Sequence, residues 1–324
     1  MTKVAPIASL GWEPHPAVWL LVGGLTAAGL YVSRSLVPHA PVEADPLPRR
    51  RRIAFWASVG VLWIASDWPV HDIAEEHLYF VHMIQHMLLT YVFPPLLLIS
   101  IPEWLAKAMI GDGAVKRLLH RLARPIAAGL LFNAVVVVTH WVPVVDLSVR
   151  FGWFHYSIHL VMVLAALTMW LPVCGPVREW RLSAPAQMVY LFAMSIVPTV
   201  PGAWLTFAEG SVYPVYDRPT QLWGIDVTTD QQLAGAVMKI LGGLYLWGVI
   251  AVIFARWSVT ESRREREFVT RVPAAELTGD PTVDESDPLH LEALTFVSSL
   301  PAEGPGGDGR GEDGPRSEHH PSGR

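Results

Sequence analysis

The stretch HLYFVHMIQHMLLTYVFPP (residues 77–95) places three histidines in an apolar segment that otherwise reads as membrane-spanning. His82 and His86 are four residues apart, so a helix presents both on one face, and Met83 and Met87 repeat this spacing on an adjoining face. An ionisable side chain inside a bilayer costs at least a few kcal/mol unless it faces a cavity, a partner or a metal. The stretch therefore predicts a functional site, and its imidazole and thioether groups both suit copper.

The composition is typical of a membrane protein with several spans. Of the 324 residues, 52% are hydrophobic and 16% are charged, and most apolar residues fall in runs near twenty long. Much of the acid behind the net charge of −5 lies near the C-terminus, so no nucleic-acid partner is indicated. Cys174 is the single cysteine, which excludes an intramolecular disulfide and a CxxC metal site.

Seven apolar segments are each close to the roughly 20 residues that cross a bilayer core of about 30 Å. They predict an all-α, polytopic membrane protein with a seven-transmembrane-helix bundle in residues 1–256. Residues 257–324 are charged and then rich in Gly, Pro, Asp and Ser, which predicts a largely disordered tail. The N-terminus lacks the basic region of a cleaved signal peptide, so the first segment is predicted to be retained. The segments are 17–37, 53–70, 78–100, 126–145, 153–173, 185–207 and 233–256.

The basic residues of the connections predict the orientation. Lys and Arg concentrate after the first, third, fifth and seventh segments, whereas the opposite loops hold only Lys3, Arg150 and Arg218. Because cytoplasmic loops carry the excess of Lys and Arg, the N-terminus is predicted outside and the C-terminal tail in the cytoplasm. The basic residues on the predicted cytoplasmic side are Arg34, Arg49, Arg50, Arg51, Arg52, Lys107, Lys116, Arg117, Arg121, Arg124, Arg178, Arg181, Arg263, Arg264 and Arg266.

This orientation predicts that histidines from separate segments lie at one level. A second H-x-x-x-H pair, His155 and His159, begins the fifth segment, and His140 is near the outer end of the fourth. At about 1.5 Å rise per residue they lie within about 10 Å of the outer boundary. Imidazole binds Cu, Zn, Fe and Ni, so the residue types alone do not name the metal. The predicted ligands are His71, His77, His82, His86, His140, His155 and His159, with Met83, Met87 and Met238 as soft ligands.

Two acids are predicted to support the histidines. Asp146 and Asp230 lie at the predicted outer surface, where a carboxylate can accept a hydrogen bond from a ligating imidazole and orient it. Each is equally well interpreted as a solvated helix cap. The chain contains no nucleophile elbow, P-loop or dinucleotide fingerprint, so enzymatic turnover is not expected.

Several of these motifs together resemble the CtaG family of membrane cytochrome c oxidase assembly factors, in its multi-span, Bacillus-type form. The resemblance rests on HMIQHMLL (82–89) before PPLLL (94–98), on Asn133 ahead of HWVPVVD (140–146), on His155-x-x-x-His159 leading to WLP (170–172), and on DQQLAG (230–235) before Met238-Lys239. These motifs cover the third to seventh segments in order.

The resemblance implies a seven-helix protein of the bacterial plasma membrane that helps to build cytochrome c oxidase by delivering copper to its catalytic subunit. Its partners would be oxidase subunits, a copper donor protein and the lipid bilayer. Two alternatives remain open. Paired histidines on neighbouring spans also ligate haem b, and a metal-free scaffold that binds the oxidase would use its histidines only for hydrogen bonds.

Overall fold

The computed structural model of the chain describes residues 3–5, 12–40, 48–217 and 220–271. It divides into two compact units, 1–257 and 258–324, and the described part of the second is the end of the last helix. The predicted disordered tail lies mostly at 272–324, outside the described residues. The boundary between membrane domain and tail at 256/257 stays a prediction.

The described residues form thirteen α-helices, which confirms the all-α prediction. The described residues also include two short strands, β1 (Lys3–Ala5) and β2 (Thr220–Leu222), which pair in parallel. The helices are α1 (Pro16–Tyr31), α2 (Arg49–Ser66), α3 (Val70–Glu76), α4 (Tyr79–Met87), α5 (Phe93–Ser100), α6 (Glu103–Ile110), α7 (Ala114–Leu122), α8 (Pro125–Thr139), α9 (Val142–Arg150), α10 (Gly152–Cys174), α11 (Ala184–Ile196), α12 (Thr199–Thr206) and α13 (Val227–Arg271).

Five helical segments in the described part of the chain are long and apolar enough to cross a membrane, so this is a membrane protein. A sixth is counted if α7 and α8, which meet at a bend of 75°, are taken as one span. All seven predicted segments contain helix, but α2 starts with four arginines and α8 alone has only 15 residues. The five segments are Pro16–His39, Tyr79–Ser100, Gly152–Cys174, Ala184–Thr206 and Val227–Glu267.

Prolines lie at interruptions of three of the predicted spans, and the sixth breaks at Pro198 between α11 and α12. Between α4 and α5 the residues Leu88–Val92 form a π-helical turn just before Pro94 and Pro95, whose rings lack the N–H that an α-helix needs. The fourth predicted segment, 126–145, is not one helix. Helix α8 ends at Thr139, and α9 begins at Val142. Pro143 lies in the first turn of α9, where the N–H that proline lacks would have no partner within the helix.

The core lies where α10 packs against α8 and α5. Trp170 of α10 is 1% exposed, and its indole N–H donates a 3.0 Å hydrogen bond to the carbonyl of Thr90 in the π-helical turn. This hydrogen bond satisfies the Thr90 carbonyl, which lies close to the break between α4 and α5. The hydrogen bond thereby joins α10, which carries His155 and His159, to the turn that directly follows α4.

Candidate metal centre

Three helices bring four ligand groups together. Glu75 comes from the short helix α3, His82 from α4, and His155 and His159 from α10. One ligand atom from each of the four lies within 4.8 Å of all the others. The set of Glu75, His82, His155 and His159 is called the histidine–glutamate site below.

The carboxylate of Glu75 is the centre of this site. Its Oε1 contacts Nε2 of His155 and lies 3.5 Å from Nδ1 of His82 and 3.9 Å from Nε2 of His159. Burial raises the pKa of the Glu75 carboxyl, but the imidazoles of His155 and His82 outweigh this and hold its pKa well below the usual value. Glu75 is therefore an ionised carboxylate, the form that ligates metals.

The convergent atoms have no hydrogen-bond partners. Oε1 of Glu75, Nδ1 of His82 and the Nε2 atoms of both α10 histidines are buried, and their mutual contacts lack hydrogen-bond geometry. Buried polar atoms in proteins nearly always have a partner. Three imidazole nitrogens and one carboxylate oxygen aimed at a common point fit a cation, and this donor set suits Cu(II) or Zn²⁺.

Two further histidines adjoin the site. The ring centroid of His86 is 4.3 Å from that of His82 and 4.8 Å from that of His159, and neither of its nitrogens has a hydrogen-bond partner. His140 Nδ1 lies 2.7 Å from the carbonyl oxygen of Val136, which leaves its Nε2 without a partner. Both line a cavity of about 20 Å³ together with His82, His155 and His159.

Neither of the predicted supporting acids contacts an imidazole among the described residues. His155 Nδ1 instead lies 2.9 Å from Ser148 Oγ of α9, and Oδ1 of Asp146 is buried without a hydrogen-bond partner. Asp230 is 3% exposed, so it is not a solvated cap. Its carboxylate accepts hydrogen bonds from the backbone N–H groups of Tyr79 and Phe80, at the start of α4.

The triplet Asp230-Gln231-Gln232 connects α13 to three other parts of the chain. Besides the Asp230 contacts with α4, Gln231 Oε1 accepts hydrogen bonds from the N–H groups of Val212 and Tyr213, and Gln232 donates to the carbonyl of Ala208. The Tyr213 hydroxyl in turn donates a 2.7 Å hydrogen bond to the carbonyl of His140. The triplet therefore positions α4 and His140 from outside the site.

The other predicted ligands lie around the histidine–glutamate site rather than in it. His71 Nδ1 is 4.0 Å from Glu75 Oε1 and accepts a hydrogen bond from the Gln85 amide. His77 follows the last residue of α3 and does not line the cavity that the five histidines share. Met83 lines that cavity, whereas Met87 and Met238 line a neighbouring one.

Glu75 is the residue that the sequence analysis missed. Its signal was its spacing in VHDIAEE (70–76), since Glu75 comes four residues after His71. This spacing places both on one helix face. The segment is short and mixed in polarity, however, and nothing in it specifies contact with residues of α10 eighty positions away.

The comparisons with known proteins indicate one family. The family model described as cytochrome c oxidase caa3 assembly factor matches residues 28–260. The chain is similar to an uncharacterized protein of Mycobacterium bovis, at 28% identity over 81% of this chain and 43% of that protein. It is also similar to an uncharacterized protein of Mycobacterium leprae, at 26% identity over 67% of this chain and 35% of that protein.

The chain spans less than half the length of these curated relatives. No solved structure matches it.

Proposed function

This chain belongs to the family of cytochrome c oxidase caa3 assembly factors, and from that premise we propose that it binds copper at the histidine–glutamate site and aids its insertion into the oxidase catalytic subunit. The observation that carries the proposal is the convergence of Glu75, His82, His155 and His159 on one point without hydrogen-bond partners. Membership of an assembly-factor family points to a non-enzymatic role.

The site has features suited to an ion that is passed on. Its four donors come from three helices, and the Glu75 side chain is 22% exposed, whereas those of His82 and His155 are each 8% exposed. Glu75 is therefore the most exposed of the four side chains, although its Oε1 is buried. In this proposal a copper donor protein loads the site, and an oxidase subunit receives the ion.

We propose seven spans in the bacterial plasma membrane, with the N-terminus outside. Contacts between predicted cytoplasmic connections support this arrangement: Lys107 pairs with Glu179 at 3.0 Å, and the Arg51 guanidinium donates to the carbonyls of Ile99 and Ile101. These residues share the end of the molecule opposite the start of α4. The histidine–glutamate site then lies toward the outer face.

Single-cysteine labelling tests this topology. In a Cys174→Ser background, Gly210→Cys is expected to react with a membrane-impermeant maleimide in intact cells, because residue 210 lies in an exposed connection at the site end. Asp112→Cys, whose native side chain is 93% exposed at the other end, is expected to react only after permeabilisation. The reverse pattern would place the site in the cytoplasmic half.

The geometry favours copper over a bis-histidine haem. Axial imidazoles lie on opposite sides of a macrocycle, so a slot must separate them. Here the His82 and His155 ring centroids are 5.5 Å apart with Glu75 between their nitrogens, and the rings within each pair are 4.3 Å apart. Spectra of the purified protein are expected to show no Soret band, and a Soret band with a sharp reduced α-band would support the haem alternative.

Metal analysis of detergent-purified protein separates a copper carrier from a metal-free scaffold. Wild type is expected to bind Cu(II) stoichiometrically, and His82→Ala and His155→Ala are expected to lower affinity at least about tenfold. His120→Ala is the control, because His120 stacks edge-on against Trp180 away from the site. Host oxidase spectra should show less assembled enzyme in the two site variants. If the host oxidase is fully assembled in cells with these two variants, while the purified variants contain only background metal, the metal-free scaffold is supported.

A further inference from the structure

We propose that a second, thioether-containing site beside the histidine–glutamate site binds Cu(I). The inference rests on the proposed function in that it takes copper to be the cargo. The second site is a cavity of about 20 Å³ lined by four methionines and two histidines, and it is called the thioether cavity below. These residues are Met83, His86, Met87, His140, Met162 and Met238.

The histidines of the thioether cavity lack partners. His86 and His140 are each 6% exposed, and both nitrogens of His86 and Nε2 of His140 have no hydrogen-bond partner. Thr90, a polar residue in the lining, already donates its hydroxyl hydrogen bond to the carbonyl of His86. Thioethers are only weak acceptors. No described lining residue, the hydroxyl-bearing Tyr91 included, gives these nitrogens a hydrogen bond, so they are free to ligate an ion.

Sulfur is concentrated in this lining. Four of the nine methionines of the chain line the thioether cavity, and Met83 and Met238 are 1% and 4% exposed. A methionine in a helix is usually packing. Here four methionine side chains surround two imidazoles that have nitrogens without hydrogen-bond partners. Together they form a nitrogen–sulfur donor set with no carboxylate, which selects the soft ion Cu(I).

The two sites differ in chemistry but adjoin in space. The histidine–glutamate site offers nitrogen and an anionic oxygen, which suit divalent ions, whereas the thioether cavity offers nitrogen and neutral sulfur. Met83, His86 and His140 line both cavities. A copper ion in either oxidation state thus has a matching site.

Silver titration tests the inference, because Ag(I) is a redox-inert substitute for Cu(I). The full chain in detergent, with Cys174→Ser in every sample to remove the thiol, is titrated with Ag(I) and separately with Cu(II). The double variant Met87→Leu/Met238→Leu, at two residues that line the thioether cavity alone, is expected to weaken Ag(I) binding at least about tenfold and to leave Cu(II) binding unchanged. Leucine conserves most of the methionine volume, so the fold is retained.

Met169→Leu is the matched control, because Met169 is 0% exposed but lines neither cavity. X-ray absorption of the Ag(I) form provides a readout that needs no folded variant. Sulfur neighbours are expected around silver in the methionine-intact protein, and neighbours limited to nitrogen and oxygen would overturn the inference.

Glu75→Gln distinguishes this inference from the proposed function. It is expected to reduce Cu(II) affinity at least about tenfold and to leave Ag(I) affinity unchanged. Equal Ag(I) affinity in the double variant and the parent overturns the thioether site, even when Glu75→Gln weakens Cu(II) binding as the proposed function requires. Methionine-dependent Ag(I) binding in a protein that does not bind Cu(II) supports the thioether site and contradicts the histidine–glutamate site.

Discussion

Oδ2 of Asp230 accepts a 2.7 Å hydrogen bond from the backbone N–H of Tyr79, a residue 151 positions earlier in the chain. Tyr79 is the first residue of α4, and its N–H is one of those that an α-helix leaves without an internal partner. A carboxylate there also interacts favourably with the helix dipole. The last helix thus caps the helix that carries His82 and His86.

Asp230→Asn is expected to destabilise the protein and to weaken metal binding. A hydrogen bond to a charged group contributes roughly 1.5–3 kcal/mol. The amide still accepts one bond, so we expect about 1–2 kcal/mol less stability and a lower thermal midpoint in detergent. Asp226→Asn, directly before the same helix, is the control, because exposed Asp226 caps only α13 itself. Cu(II) affinity should fall in Asp230→Asn and not in Asp226→Asn. An equal fall in the two variants would contradict the role of Asp230 as the cap of α4.

Glu75→Gln is expected to reduce Cu(II) affinity at least about tenfold without lowering thermal stability. The amide keeps the side-chain volume but removes the anionic ligand. Competition with a chelator of known affinity measures the effect. Glu103→Gln is matched in exposure, at 26% against 22%, but Glu103 pairs with Lys107 and Arg178 away from the site. Unchanged affinity in Glu75→Gln would exclude a metal-binding role for this carboxylate.

Gly235→Ala is expected to separate α12 from α13. An added Cβ would contact the carbonyl oxygen of Gly202 and lie 2.6 Å from Oγ1 and 2.7 Å from the backbone N of Thr206. Such overpacking typically costs about 1–3 kcal/mol. Small residues permit this close helix contact within a membrane. The thermal midpoint should fall, whereas Gly243→Ala on the same helix, where a Cβ meets open space, should be neutral or stabilising.

Arg51→Gln is expected to weaken the junction between α2 and α5. The Arg51 guanidinium donates hydrogen bonds of 2.9 Å and 2.7 Å to the carbonyls of Ile99 and Ile101, at the C-terminus of α5. Charged donors at a helix C-terminus satisfy carbonyls that lack an internal partner. We expect a loss of about 1–2 kcal/mol, measured by thermal unfolding. Exposed Arg50→Gln carries the same charge change and should unfold near the wild-type midpoint.

Local pattern was sufficient for much of the fold. The apolar runs predict where helices form because a membrane span needs about 20 apolar residues, whatever its neighbours are. The four-residue spacing of His82 and His86, and of His155 and His159, fixes each pair on one face because helical periodicity is a property of the local backbone. The histidine pairs from which a metal site is proposed could therefore be recognised before any contact was known.

The tertiary structure decided which of these groups meet. The position of Glu75 between His82 and His155 depends on how α3, α4 and α10 pack, and no local signal encodes a contact across eighty residues. The same packing assigned Asp230 to a backbone cap instead of an imidazole and divided the methionines from the carboxylate. Periodicity determines the face of a single helix, whereas the partner of that face is set by the packing of all the helices together.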